Sequence, residues 1–82
     1  MKVTVKVKNK NLKREVLQIN TEFITLDAAM KLSGIVGTGG QAKILISEGL
    51  IKVNGKENDI FRKKLYEGDT FEYDGTIFEI KH

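Results

Sequence analysis

The sequence predicts a small α+β domain in which two short adjacent helices pack on antiparallel β-hairpins. Three observations lead to this fold class: apolar and polar residues alternate near both ends of the chain, two short helical patterns lie between residues 25 and 49, and asparagine–glycine and aspartate–glycine turns follow. The 82 residues suffice for one domain with a thin core, because a chain this short buries only a little over about 60% of its unfolded surface.

An N-terminal β-hairpin extension is predicted over residues 1–23. Within residues 2–8, three valines alternate with charged or polar residues, which is typical of a strand with one buried face. Residues 9–11, Asn-Lys-Asn, form a turn signal, and a second strand is expected over residues 15–19. These two strands would pair as a hairpin.

Capping residues predict the bounds of the two helices. The first helix is expected to begin after Thr25 and to end at Gly34, where a left-handed backbone is favoured. Thr38 and Gln41 have the T-x-x-Q spacing of a capping box, so the second helix is expected to begin there and to run to about Glu48.

Two tight turns predict the register of the hairpins after the helices. Asn54 followed by glycine favours a two-residue loop, which would place Lys52 opposite Glu57 as a cross-strand ion pair. An aspartate–glycine turn joins the last two strands and would place Phe71 opposite Phe78 on the core face.

Positive charge is concentrated in the first part of the chain. The formal net charge is +3, but residues 1–20 carry +5, residues 21–64 carry +2, and residues 65–82 carry −4. A field this uneven favours a polyanion on one face of the domain. The alternative is a solvated, lysine-rich edge strand, since lysine on an edge discourages aggregation.

The composition provides no support for an enzyme or a metalloprotein. Cysteine is absent, and the only histidine, His82, lies at the end of the chain. Ser33 and Ser47 therefore have no internal histidine to act as a base, and we expect no catalytic, cofactor-binding or metal-binding residues. No apolar run approaches the roughly 18 residues of a membrane helix, so we expect no membrane partner and a cytoplasmic location.

Residues 37–42 match the G-x-G-x-x-A fingerprint of dinucleotide-binding folds. That fingerprint requires a preceding strand and a parallel βαβ unit, whereas here a helix precedes the glycines and antiparallel hairpins follow. Two interpretations remain for this segment. It is either a flexible, well-capped connection between helices, or a phosphate site in which backbone N–H groups at the helix start act with Lys43.

The order and spacing of these motifs resemble the S4 RNA-binding domain, in particular its small stand-alone bacterial members. The matching residues read L-D-x-x-M-x-L-x-G from Leu26, T-x-x-x-A-K-x-L-I-x-x-G from Thr38, V-N-G-K from Val53 and G-D from Gly68. The resemblance predicts an S4-like core over residues 24–73, with a C-terminal hairpin over residues 70–82, in a single domain over residues 1–82.

The resemblance implies binding to structured RNA, of the ribosomal or transfer RNA type, by the two helices and the nearby hairpin loop. By position, Thr38 corresponds to the family's serine before the second helix and Lys43 to a basic position on it. With neighbouring basic residues added, the expected RNA-binding residues are Lys31, Thr38, Gly39, Gly40, Lys43, Asn54, Lys56, Arg62, Lys63 and Lys64.

This chain departs from the family pattern at one position of the expected site. Many members have an arginine where this sequence has Gly39, so a bidentate contact to phosphate is lost. The backbone N–H groups of Gly39 and Gly40 are the expected substitute.

A second hypothesis is a β-grasp, ubiquitin-like module that binds a protein partner and no RNA. The V-N-G motif followed by G-D also occurs in small sulfur carriers. Those carriers end in diglycine, whereas this sequence ends in Glu-Ile-Lys-His at residues 79–82. A tight protein partner that binds in the absence of RNA would favour this hypothesis, with the N-terminal hairpin as the open edge.

Overall fold

The computed structural model describes residues 13–82. Its elements in chain order are β1 (Lys13–Gln18), β2 (Ile24–Thr25), α1 (Leu26–Ser33), α2 (Gly39–Ser47), β3 (Lys52–Val53), β4 (Lys56–Glu57), β5 (Lys64–Leu65), β6 (Thr70–Tyr73) and β7 (Thr76–Lys81). The predicted α+β class is confirmed, and both helices lie where their capping residues predict. The strand predicted over residues 2–8 and the turn at residues 9–11 lie outside the described residues.

The main sheet has five strands in the order β1-β7-β6-β3-β4. Strands β6 and β7 pair antiparallel with Phe71 opposite Phe78, as their turn predicts. The second predicted strand is found two residues earlier, as β1, and it pairs with β7 in parallel. The sheet is therefore mixed rather than purely antiparallel. Alternation of apolar residues identifies the buried face of a strand but not a partner that lies some sixty residues away along the chain.

The core lies between the helices and one face of this sheet. The rings of Phe71 and Phe78 stack with their centroids 4.9 Å apart, and α1 contributes Leu26 and Met30, both without solvent exposure. Within the first turn of α1, Asp27 is also buried, and its Oδ1 has no hydrogen-bond partner among the described residues.

The start of α2 is capped through Gln41. The Gln41 N–H donates to Thr38 Oγ1 at 3.2 Å, and the Gln41 side-chain Oε1 accepts from the Gly37 N–H at 2.7 Å. The predicted capping box therefore forms, with its return bond one residue further upstream than the usual position.

The start of α1 is held in a different way. Thr25 occupies the cap position but makes no side-chain capping bond. The N–H of Leu26 instead donates to the carbonyl oxygen of Lys63 at 2.8 Å. A short two-stranded sheet of β2 and β5 runs beside this bond, with Thr25 opposite Lys64. The segment before β5 is thus attached to the first turn of α1.

The turn between β3 and β4 has the predicted two-residue form. Asn54 and Gly55 both have positive φ, at 52° and 84°, which matches the twist of a tight hairpin. Lys52 lies opposite Glu57 as predicted. The prediction of an ion pair between them is wrong. Two ion pairs are found among residues 13–82, and they join Glu79 to Arg14 and to Lys81. On the other side of its strand Lys52 lies opposite Glu72, so its two neighbours in the sheet register are both glutamates.

The side chains of Asn54 and Asp69 join the two glycine turns. Asn54 Nδ2 donates to Asp69 Oδ1 at 3.2 Å, and Asn54 Oδ1 accepts from the Thr70 N–H at 2.9 Å. The second carboxylate oxygen of Asp69 accepts from the Tyr66 N–H at 2.7 Å. The V-N-G and G-D motifs, which are fifteen residues apart, therefore form one hydrogen-bonded unit.

A double-mutant cycle measures the interaction free energy between Asn54 and Asp69. Asn54→Gly removes the amide while it retains the positive φ, and Asp69→Ala removes the carboxylate. Each change should lower the free energy of unfolding by about 1 kcal/mol. The loss in the double variant should be smaller than the sum of the two single losses by at least about 0.5 kcal/mol, because both changes remove the same shared hydrogen bond. Urea denaturation measures all four free energies.

The matched control is a second cycle in which a different aspartate, Asp59, is mutated in place of Asp69. Asp59 is exposed, and Asn54→Gly combined with Asp59→Ala should give additive losses. Additivity in the Asn54–Asp69 cycle as well would contradict the hydrogen-bonded unit.

Candidate nucleic-acid interface

The first turn of α2 brings together four of the predicted site residues. Thr38 caps the helix, and the backbone N–H groups of Gly39 and Gly40 have no acceptor among residues 13–82. Lys43 is exposed and follows Gly39 by four residues, so both lie on the same side of the helix. Unpaired N–H groups and the helix dipole favour an anion at this end, and the Lys43 ammonium adds a full positive charge one turn further along.

Phe61 packs on this helix start. A Cβ atom built at Gly39 would lie 3.9 Å from Phe61 Cζ, which is ordinary van der Waals contact. The guanidinium carbon of Arg62 lies 5.8 Å from the centroid of the Phe61 ring. The Phe61 ring therefore lies close to the start of α2, and Arg62, the next residue, lies beside that ring.

A second group of predicted residues surrounds the β3–β4 hairpin. Asn54, Lys56 and Lys63 line one open depression of ≈ 460 Å³, together with Val53, Glu57 and Asn58. Both lysines are exposed. The Asn54 amide already bonds to Asp69 and Thr70 within the protein. Lys56 and Lys63 are therefore the residues of this group best placed to meet a phosphate.

The two remaining predicted residues lie apart from these groups. Lys31 is exposed in the last turn of α1. Lys64 belongs to β5, and its Nζ lies 4.8 Å from the centroid of the Phe23 ring. The structure thus places four of the ten predicted residues at the start of α2, three around the hairpin and two apart. The tenth, Arg62, lies by Phe61 in the segment over residues 61–64, which connects one group with the other.

The basic side chains of the candidate interface are available to a ligand. None of them has a carboxylate within 4.0 Å among the described residues, whose ion pairs are confined to Glu79 and its two neighbours. Each lysine and arginine can therefore meet a phosphate without first breaking a salt bridge within residues 13–82. The part of the chain that the structure describes contains no group of three metal-ligating side chains and no helix long and apolar enough to cross a membrane.

Sequence reasoning missed the aromatic residues of this region. Phe61 contacts the Gly39 position, and Phe23 packs on Tyr66 with ring centroids 5.7 Å apart. A signal was present, because residues 61–66 read Phe-Arg-Lys-Lys-Leu-Tyr, and aromatic residues interleaved with basic ones are typical of nucleic-acid binding.

Comparison with known proteins supports the motif-based resemblance. The chain is similar to a probable ribosome maturation protein, RlbA, of Bacillus subtilis (strain 168), with 39% identity over 59 residues, which are 72% of this chain and 83% of that protein. A family model described as S4 domain matches residues 17–81, which include the end of β1 and all of β7. The chain belongs to the S4 domain family, a family of RNA-binding and non-enzymatic domains.

Proposed function

We propose that this protein binds structured RNA through a basic face around the start of α2. The basic face consists of residues 38–40, Lys43, Lys56, Arg62 and Lys63. Lys31, Asn54 and Lys64 are predicted contributors at its margins. The observation that carries the proposal is the start of α2. Two backbone N–H groups there have no acceptor within the described part of the chain, and an exposed lysine and an adjoining basic segment complete a setting for phosphate recognition.

The proposed mode of recognition is by shape and charge. Backbone amides and lysines contact phosphate oxygens and position a protein on RNA, but they carry no base sequence information. A double-stranded RNA helix presents its phosphates and 2′-hydroxyl groups across a wide, shallow minor groove, where lysines and backbone N–H groups can contact them. The basic face therefore favours folded RNA over an extended single strand.

Ribosomal RNA is the proposed class of target. The support is the similarity to a relative whose name describes a role in ribosome maturation. Binding to ribosomal RNA during subunit assembly would place this protein in the cytoplasm. A protein partner on the maturing particle would be compatible with the same role.

Fluorescence anisotropy with three labelled ligands tests the proposed function. The ligands are an RNA stem-loop, a single-stranded RNA and a DNA duplex of matched length, each at low and near-physiological salt. We expect a preference for the stem-loop that persists at the higher salt. Weak binding to all three that disappears with salt would contradict the proposal and would favour an interaction module that recognises a protein.

Lys43→Glu should weaken binding to the stem-loop by about tenfold, because it removes one phosphate contact and introduces repulsion. The slope of log K against log salt should also fall by about one unit. The matched control is Lys13→Glu, the same charge change on β1, at the opposite edge of the main sheet from the hairpin. Equal losses for the two variants would show that only net charge matters.

Gly39→Arg introduces the arginine that many family members have. A Cβ atom at this position would make only ordinary contact with Phe61, so the helix should tolerate the change. We expect RNA affinity to rise severalfold, because a guanidinium can contact phosphate with two hydrogen bonds. Gly39→Ala, which changes the backbone preference without adding a charge, is the control and should leave the affinity nearly unchanged. Weaker binding by Gly39→Arg would show that RNA needs close approach to the glycine backbone.

A further inference from the structure

The edge of the small β2–β5 sheet carries a partly exposed pair of aromatic rings. Ile24 lies opposite Leu65 in this sheet, so the next pair along the strands is Phe23 and Tyr66. Their ring centroids are 5.7 Å apart with an angle of 51° between the planes. Tyr66 remains 43% exposed, although a large apolar ring gains stability by burial.

The backbone of Tyr66 is held rigidly for an exposed residue. Its N–H donates to Asp69 Oδ2 at 2.7 Å, and its carbonyl oxygen accepts from the Asp69 N–H at 2.9 Å. Asp69 is in turn bonded by Asn54. A ring on a backbone fixed at two points loses little conformational entropy when a ligand packs on it. More of the contact energy is therefore retained as binding affinity.

Positive charge lies on the same side of the strand as the tyrosine. Lys64 precedes Tyr66 by two residues, so both side chains point to one face of β5, and Lys64 Nζ lies 4.8 Å from the centroid of the Phe23 ring. Glu22 and Glu67 adjoin the two aromatic residues in the sequence and are exposed. Because of these neighbouring carboxylates, an uncharged ring of a ligand is favoured on the face of Tyr66. An anionic group of the same ligand is favoured beside Lys64.

We propose that Phe23 and Tyr66 form a stacking platform for one unpaired base of the bound RNA, with Lys64 on the adjacent phosphate. This inference rests on the proposed RNA-binding function and adds a feature of the target, a bulged or otherwise unpaired nucleotide beside a helix. Paired bases are already stacked on their neighbours, whereas an unpaired base can turn out of its strand and stack on an aromatic side chain. The segment over residues 61–66 links this platform to the basic face, so one RNA can contact both.

The test uses two RNA duplexes that differ by one nucleotide. Both have blunt ends, and one carries a single unpaired 2-aminopurine whose fluorescence reports stacking. We expect the protein to bind the bulged duplex about tenfold more tightly and to change its 2-aminopurine emission. Tyr66→Ala should remove this preference and leave affinity for the fully paired duplex unchanged. Tyr66→Phe, which retains the ring, should keep both the preference and the emission change.

Ile60→Ala is the matched control, because Ile60 is also an exposed apolar residue, at 54%, and lies close to the basic face in the sequence. It should bind both duplexes as the unaltered protein does. Equal affinity of the unaltered protein for the two duplexes would overturn the stacking platform while the proposed function stands. The platform would also be overturned if Tyr66→Ala weakened binding to both duplexes equally. Failure of the unaltered protein to bind either duplex would overturn the proposed function itself.

Discussion

The hydrogen bonds made by the Asn54 and Asp69 side chains join the parts of the molecule that the candidate interface needs. Asn54 belongs to the β3–β4 turn, and Asp69 holds the backbone of Tyr66 on the other side. Each bond contributes only about 1 kcal/mol to stability. Their greater importance is geometric, because they set the hairpin that carries Lys56 relative to the segment that carries the other cations. The asparagine, which the motif would assign to RNA, thus has a structural function as well.

The segment over residues 61–66, which includes β5, contacts three other parts of the molecule. Phe61 packs on the start of α2, the Lys63 carbonyl accepts the first N–H of α1, and Tyr66 packs on Phe23. Functional residues are often found on such connections, because a rigid scaffold can position them without using their side chains for the core. Here Arg62 lies by the Phe61 ring, Lys63 lines the depression at the hairpin and Lys64 lies by the Phe23 ring, so successive cations are spread apart, which suits a ligand as extended as RNA.

The glycine at position 39 illustrates how a missing side chain can be compensated. Without an arginine there, the helix start presents backbone N–H groups that have no acceptor among residues 13–82, while the Phe61 ring lies close by with Arg62 beside it. Positive charge at this helix start comes from Lys43 on α2 and from the neighbouring segment that carries Arg62. Affinity that arises from several separate lysines and arginines depends steeply on salt, because each contact releases a counterion.

The sequence by itself determined the features that depend on near neighbours. The capping of α2 by Thr38, the end of α1 at Gly34 and the turn at Asn54 each depend on residues within a few positions, whose φ and hydrogen-bonding preferences are local. The motif order was sufficient to identify the family. The tertiary structure alone decided the parallel pairing of β1 with β7, the missing ion pair of Lys52, the contact of Phe61 with Gly39, and the pairing of Phe23 with Tyr66. These contacts join residues far apart in the chain, and a pattern along one strand or helix defines which face is buried but not what packs against it.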